Sequence, residues 1–381
     1  MNKVRLGLVA SSRKEQEQRL PLHPWHIAGI GADVRSQVFL EDGYGERFGV
    51  PDSQLAPYVA GFMPREKLFA ECDTIMLFKP VLQDYLDLHP GQVLWGCPHF
   101  VQDQAATQAA IDQRLTVVAM EGMQHWSADG GFNMSVCPRM GELAGFCSVQ
   151  HALTRLGKTG IYGRRLRAAV IGFGSAGRGA MAALNAQGIF DTAILTRRPP
   201  TAVTAAPSSA QMVHLVAGED NGGALYAVAE TGRKRRLPDF LAEYDIIVNC
   251  VRQDTEAPMI FLTDANVAAL EPGSLIVDVS CDTEMGFSWA RPTTFSEPTI
   301  QVGHNVKYYA VDHSPSYLWD SATWVLSEAM LPYLRTVMSG ERAWAADVTV
   351  GRAVEIQDGV IQNPRILSFQ RRSPDYPHAA G

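Results

Sequence analysis

The stretch Arg165–Leu184, RLRAAVIGFGSAGRGAMAAL, constrains this chain more than any other. The apolar run Leu166–Ile171 reads as a buried strand, and the alanine-rich run after it reads as a helix. Between them Gly172, Gly174 and Gly177 form G-x-G-x-x-G. In a strand–turn–helix unit the first glycine permits the tight turn. The second lets backbone approach a pyrophosphate, and the third lets the helix pack on the strand. The amides at the helix start, those of Ser175, Ala176 and Gly177, then favour a bound phosphate. The glycine pattern alone is weak in a chain rich in Gly and Ala. The strand before it and the helix after it favour a dinucleotide-binding turn over a plain glycine turn.

The next strand, Asp191–Arg198, bears on which dinucleotide. An NAD site carries Asp or Glu about 20 residues beyond the glycines, where it bonds the ribose 2′-OH. Here Thr196, Arg197 and Arg198 stand instead. A carboxylate repels a 2′-phosphate and guanidinium groups pair with it, so the reading is NADP(H) over NAD(H). The competing reading is that the two arginines only solvate a loop before Pro199-Pro200. Cys250 and Val251, at the end of the apolar run IIVNCV, and His313 are further candidates for cofactor contact.

With 381 residues, the chain is long for one core and suggests two domains. A hydrophobic fraction of 46% with 19% charged residues excludes a disordered chain. The net charge of −7 gives no general basis for binding nucleic acid. The start, MNKVRLGLVASS, lacks a signal-peptide core, and no apolar run reaches a membrane span. The six cysteines form no C-x-x-C, which suits reduced thiols in a cytoplasmic protein.

Strand and helix signals alternate along the first 120 residues, which predicts an α/β domain with a mostly parallel sheet. Strands are expected at Val4–Ala10, Ala32–Leu40, Thr74–Phe78, Gln92–Trp95 and Leu115–Met120, with helices beginning at His26–Ile30 and at Glu66–Cys72 and Asp103–Gln113. Arg139–Leu156 reads as a long helix leaving this domain. Ile246–Val251 and Ser274–Val279 are further buried strands, with a crossover helix expected at Thr263–Ala269. Thr201–Arg236 has few periodic cues, and its basic run Lys234–Arg236 reads as a solvated face. A helix is expected from about Ser321, and Arg371–Gly381 reads as a loose polar tail.

Three basic side chains fall where strands hand over to loops: Arg19, Lys79 and His99. In an open parallel sheet ligands bind outside the carboxyl ends of the strands. Arg clamps a carboxylate, Lys polarises a carbonyl oxygen and His moves a proton near neutral pH, a set that suits reduction of a 2-oxo acid or its imine. Each residue singly also has a plain structural reading, as a solvated strand end or a packed histidine. Metal catalysis is not expected: there is no H-E-x-x-H, and Cys97-Pro98-His99 supplies too few ligands. The segment has no G-x-S-x-G hydrolase elbow and no P-loop G-x-x-x-x-G-K.

Four stretches carry a family resemblance: KEQEQRLPLHP (Lys14–Pro24), LFKPVLQDYLDLHPGQVLWGCPHF (Leu77–Phe100), the glycine turn, and LIVDVSCDTEMGFSWARPTTF (Leu275–Phe295) with YYAVDHSPSYLWDSATW (Tyr308–Trp324). Along most of its length the chain resembles the superfamily of alanine dehydrogenase, transhydrogenase and lysine-forming saccharopine dehydrogenase. The resemblance implies that Arg19 binds the substrate carboxylate, that Lys79 and His99 contact the reacting carbon, and that Asp282 is the acid beside the nicotinamide. Glu121 and Glu142 lie in segments the family places near the substrate, and either could hold an ammonium group.

Two departures stand out. Alanine dehydrogenases carry an acid where Arg197–Arg198 stand, and D-Q-G-G where this chain has Asp282-Thr283-Glu284-Met285-Gly286. The second half looks most like the N5-(carboxyethyl)ornithine synthase branch, which condenses a diamino acid's side-chain amine with pyruvate and reduces the imine with NADPH. The expected architecture is a Rossmann cofactor domain over residues 146–310 and a Rossmann-like substrate domain over 1–145 and 311–381, with a cleft between them. The expected partners are a 2-oxo acid and a basic amino acid, with neither nucleic acid nor membrane, in a homo-oligomer. The alternatives are alanine dehydrogenase-like amination with ammonia, a saccharopine dehydrogenase-like activity, and a non-catalytic NADP(H) sensor.

Overall fold

Strand order is what positions the functional residues. The computed structural model describes residues 4–199, 203, 207, 209–218 and 223–380. It divides into two compact units, one of residues 1–138 with 318–381, the other of residues 139–317.

The first unit is built on an eight-stranded sheet. Its six parallel strands are Leu6–Leu8, Val38–Glu41, Gly61–Met63, Thr74–Leu77, Val93–Gly96 and Thr116–Ala119. Taken in chain order, they lie 3-2-1-4-5-6 across the sheet, the doubly wound order of a Rossmann fold. The returning chain adds Val354–Gln357 antiparallel to Thr116–Ala119, and Val360–Ile361 beside it. Strands such as Thr74–Leu77 and Thr116–Ala119 are buried at every position, as expected of parallel strands covered on both faces.

The second unit repeats the order. Arg167–Ile171, Asp191–Thr196, Ala210–Ala217, Ile246–Asn249, Leu275–Asp278 and Val306–Tyr309 are its parallel strands, again 3-2-1-4-5-6. Antiparallel strands extend both edges: Leu225–Ala229 and Lys234–Arg236 on one side, Thr299–Val302 on the other. The fold is therefore α/β with two Rossmann-type units.

Several sequence expectations are corrected. Ala32–Leu40 is not one strand: a 3-10 turn occupies Arg35–Gln37, and the strand is Val38–Glu41. The helix expected from His26 is a six-residue 3-10 helix, Pro24–Gly29. The crossover at Thr263–Ala269 is only a 3-10 turn, Val267–Ala269, preceded by the short strand Ile260–Leu262. Lys234–Arg236, read as a solvated face, forms an edge strand on which Lys234 and Arg236 are exposed. Parts of the segment 201–236 lie outside the described residues.

The polar tail is also pinned, not loose. Arg372 pairs with Ala380 in a β-bridge and donates to the Gln370 side chain. His378 is 1% exposed and accepts the Ile361 N–H at 3.0 Å. Polar composition misled here because buried hydrogen bonds, rather than apolar area, fix the segment.

Candidate active site

The glycine turn sits at the switch point of the second unit, where the chain adds its parallel strands first to one side of Arg167–Ile171 and then to the other. Gly172 has φ +90°, a conformation that side chains rarely adopt. A Cβ there would lie 3.0 Å from Val251 and 3.1 Å from the Cys250 backbone, so the two candidate cofactor residues wall this turn. Gly177 is needed for packing: a Cβ would come within 2.2 Å of the Gly172 carbonyl oxygen.

Gly174 differs from both. Its φ is −92°, and a Cβ there would meet nothing within 4 Å. Neither backbone conformation nor packing explains a glycine at this exposed position. Close approach of a ligand backbone or phosphate does, in front of the amides of Ser175, Ala176 and Gly177 that open the helix Ser175–Ala186. The residues present therefore fit a dinucleotide.

That helix is held by another. A Cβ at Gly179 would lie 1.8 Å from the Glu142 carbonyl oxygen, and one at Gly145 would lie 1.9 Å from that of Ala176. Pro138–Arg155 thus packs backbone to backbone on the nucleotide helix, and Glu142 belongs to that contact.

At the end of the Asp191–Thr196 strand, Thr196 is buried and its hydroxyl accepts the Arg198 N–H. Arg198 Nη2 donates to the Phe173 carbonyl at 2.9 Å, which ties its guanidinium to the glycine turn. Arg197 is exposed.

The Ile246–Asn249 and Leu275–Asp278 strands end in a buried network that sequence reasoning missed. Asn249 Nδ2 and Tyr308 Oη donate to the Asp278 carboxyl at 2.9 and 2.8 Å, and the Cys281 amide adds a third bond. Burial still pushes the Asp278 carboxyl up to about 6. The network steadies the loop that carries Asp282, whose neighbours Cys281 and Glu284 both take left-handed φ, +48° and +58°. Asp282 is itself pushed up by burial, opposed by the nearby Arg252. His313 is buried, hydrogen-bonded to Asp312 at 2.6 Å and edge-on to Phe295. Burial holds the Cys250 thiol well above its ordinary range, so its part is that of a wall.

The first unit gathers its own candidates at the carboxyl ends of its parallel strands. Lys79 follows Thr74–Leu77, His99 follows Val93–Gly96 and Glu121 follows Thr116–Ala119. Lys79 Nζ lies 2.6 Å from His99 Nε2. An ammonium has no lone pair, so with Lys79 charged Nε2 must accept and Nδ1 carries the imidazole proton. His99 has φ +53°, and its backbone N–H donates to Glu121 Oε1 at 2.8 Å. Nδ1 lies 3.7 Å from the same oxygen, within charge interaction but beyond a hydrogen bond. Glu121 thus holds the His99 backbone in a sparsely populated conformation that aims the ring at Lys79.

Arg19 is buried on the segment after Leu6–Leu8. Glu17 takes its guanidinium through two bonds, Nε to Oε1 at 2.8 Å and Nη2 to Oε2 at 2.5 Å, and Phe78 lies under it at 4.5 Å. An incoming carboxylate has to be met by this ion pair, not by a bare guanidinium. Glu17 was not singled out from sequence; its spacing two residues before Arg19 was the available signal.

Cys97, His99 and Glu121 bring donor atoms within 4.8 Å of one another, a convergence the sequence did not reveal because Glu121 arrives on a different strand. Burial and the Glu121 charge hold Cys97 as a thiol, and Lys79 occupies His99 Nε2. The arrangement is a hydrogen-bonding cluster in which proton transfer is the available chemistry.

Two doubly wound units, one of them carrying this glycine turn, define a dinucleotide-binding oxidoreductase fold. The chain belongs to the alanine dehydrogenase/PNT family: its C-terminal domain description matches residues 153–364, more than half the chain, and its N-terminal domain description matches residues 8–140. It is similar to alanine dehydrogenase of Mycobacterium tuberculosis, 24% identical over 386 residues that cover 96% of each chain. It is similar to N(5)-(carboxyethyl)ornithine synthase of Clostridium botulinum, 25% identical over 360 residues, with 91% of this chain and 97% of the relative covered. Among solved structures, an L-alanine dehydrogenase aligns with TM-score 0.74 at 21% identity, over 96% of this chain and 99% of that one, which supports the fold. Among the described residues, no helix is long and apolar enough to cross a membrane.

Proposed function

We propose that the protein is an NADPH-dependent enzyme that joins a 2-oxo acid to the side-chain amine of a basic amino acid and reduces the imine. The balanced reaction is R–NH2 + R′–CO–COO⁻ + NADPH + H⁺ → R–NH–CHR′–COO⁻ + NADP⁺ + H2O. The observation that carries the reading is the Lys79–His99 contact at 2.6 Å, an acid–base couple at the carboxyl ends of a parallel sheet.

In this reading residues 1–138 with 318–381 bind the substrates, and residues 139–317 bind the cofactor at Gly172, Gly174, Gly177 and the adjoining Cys250 and Val251. Bound NADPH supplies hydride to the former carbonyl carbon. The Arg19–Glu17 pair receives the oxo acid's carboxylate. Lys79 polarises the carbonyl oxygen. Lys79 Nζ and His99 Nε2 share a proton, so one taken from the attacking amine can be returned to the departing oxygen as water leaves. Asp282 orients the nicotinamide side of the site, and Glu121 or Glu142 answers the amino acid's ammonium. Arg197 and Arg198 pair with the 2′-phosphate, which favours NADP(H).

Alanine dehydrogenase-like amination with ammonia is the second reading, favoured by the full-length similarity to the mycobacterial enzyme. Rates of NADPH oxidation with pyruvate and either ammonia, ornithine or lysine separate the two. Faster turnover with ornithine or lysine supports the proposal, and turnover with ammonia alone overturns it.

A further inference from the structure

His214 takes no part in the mechanism above. It lies on the strand Ala210–Ala217, beside Asp191–Thr196 in the second unit. The two strands pair in parallel from Thr192 with Ala210 to Thr196 with His214, and Arg197 begins where that pairing ends. His214 Nε2 lies 3.2 Å from the Arg197 carbonyl oxygen. A carbonyl oxygen only accepts, so Nε2 carries a proton and donates it to this bond.

The bond is made near the surface, since Arg197 is exposed and His214 is half-buried. Water would satisfy a carbonyl there nearly as well, so the bond contributes little to folding. What it does is fix the Arg197 backbone. The next residue is fixed too: Thr196 Oγ1 accepts the Arg198 N–H at 3.2 Å, and the Phe173 carbonyl accepts Arg198 Nη2 at 2.9 Å. Three bonds thus set the strand end beside the glycine turn. The Arg197 guanidinium is left without a hydrogen-bond or ion-pair partner among the described residues. A donor on a fixed backbone has less freedom to lose when it meets an anion.

We infer that His214 is a positioning residue of the 2′-phosphate site, holding the Arg197 backbone so that the Arg197 and Arg198 guanidinium groups meet one phosphate. The inference rests on the proposed pairing of these two arginines with that phosphate. It adds a specificity-determining residue on the neighbouring strand, outside the strand end that ordinarily chooses between the two cofactors. Without the His214 bond the Arg197 peptide is free to turn, and its guanidinium samples positions away from the phosphate. The loss falls on ligands with a 2′-phosphate, because the glycine turn receives the pyrophosphate of either dinucleotide.

The test is calorimetric titration of the full chain with adenosine 2′,5′-bisphosphate and with adenosine 5′-monophosphate, which reads the 2′-phosphate contribution without turnover. His214→Leu should weaken the bisphosphate by about 3- to 10-fold, no more than Arg197→Ala does, and leave the monophosphate within about 2-fold. His214→Gln, whose side-chain amide still donates, should keep most of the native preference. In an Arg197→Ala background, His214→Leu should cost nothing further, because His214 acts through Arg197. A native preference in His214→Leu, equal losses for both ligands, or a full further loss in the Arg197→Ala background overturns the inference. If the native protein binds both nucleotides equally, the pairing of the arginines with the phosphate fails as well. If the native protein prefers the bisphosphate and Arg197→Ala lowers that preference while His214→Leu does not, the pairing stands and the role of His214 alone fails.

Discussion

Arg197 and Arg198 offer the most quantitative handle on cofactor choice. Arg197 is exposed and makes no tie to the glycine turn, whereas Arg198 spends Nη2 on the Phe173 carbonyl at 2.9 Å. A hydrogen bond to a charged group contributes about 1.5–3 kcal/mol, with an exposed arginine at the lower end. At about 1.4 kcal/mol per tenfold, Arg197→Ala should weaken NADPH roughly 10-fold and leave NADH within about 2-fold. Arg198→Ala loses a similar contact and also frees Phe173, so NADH should weaken by about 2- to 5-fold as well. The double variant should bind NADPH on the order of 100-fold less tightly. Fluorescence titration of both cofactors with all four proteins measures this, and the NADPH advantage should shrink as salt screens the charges. Equal dissociation constants for NADPH and NADH in the native protein, or equal losses for both in the double variant, refute the reasoning.

Three further outcomes are expected. His99→Ala should lower turnover by about 100-fold or more while NADPH binding stays near native, measured by steady-state rates and cofactor titration. Gly174→Ala should fold with native stability and lose cofactor affinity, because its Cβ meets only open space; Gly177→Ala should cost about 1–3 kcal/mol in denaturant melts, because its Cβ meets the Gly172 carbonyl at 2.2 Å. Glu355 holds its proton more tightly folded, at about 8, than its ordinary value of 4.5. Its contribution is full below about 4.5 and is lost as pH rises through about 8, so Glu355→Gln should flatten the alkaline fall of the unfolding midpoint.

What could be read from sequence was what is local. The glycine turn, the strand before it and the helix after it lie within twenty residues, and chemistry follows from their spacing. Lys79 and His99 were findable because each directly follows an apolar strand. Their contact was not, since it depends on neighbouring strands in register and on the left-handed backbone of His99. Glu355 was invisible for a stronger reason: it joins this sheet only through an antiparallel return strand and a bulge, more than two hundred residues beyond Thr116–Ala119. The tail around Arg372 and His378 was misread because its order comes from hydrogen bonds rather than apolar periodicity. Thr263–Ala269 showed helix-forming residues, but the segment closes as a single 3-10 turn after a short strand.

The reaction itself is tested most directly by the mass of its product. After incubation with pyruvate, ornithine and NADPH, the account predicts a secondary amine whose mass equals ornithine plus pyruvic acid less one oxygen (one water lost, two hydrogens gained), formed faster as pH rises from neutral to mildly alkaline. Lysine should give the corresponding adduct. Efficient formation of alanine from pyruvate and ammonia, with no adduct from either basic amino acid, would contradict it.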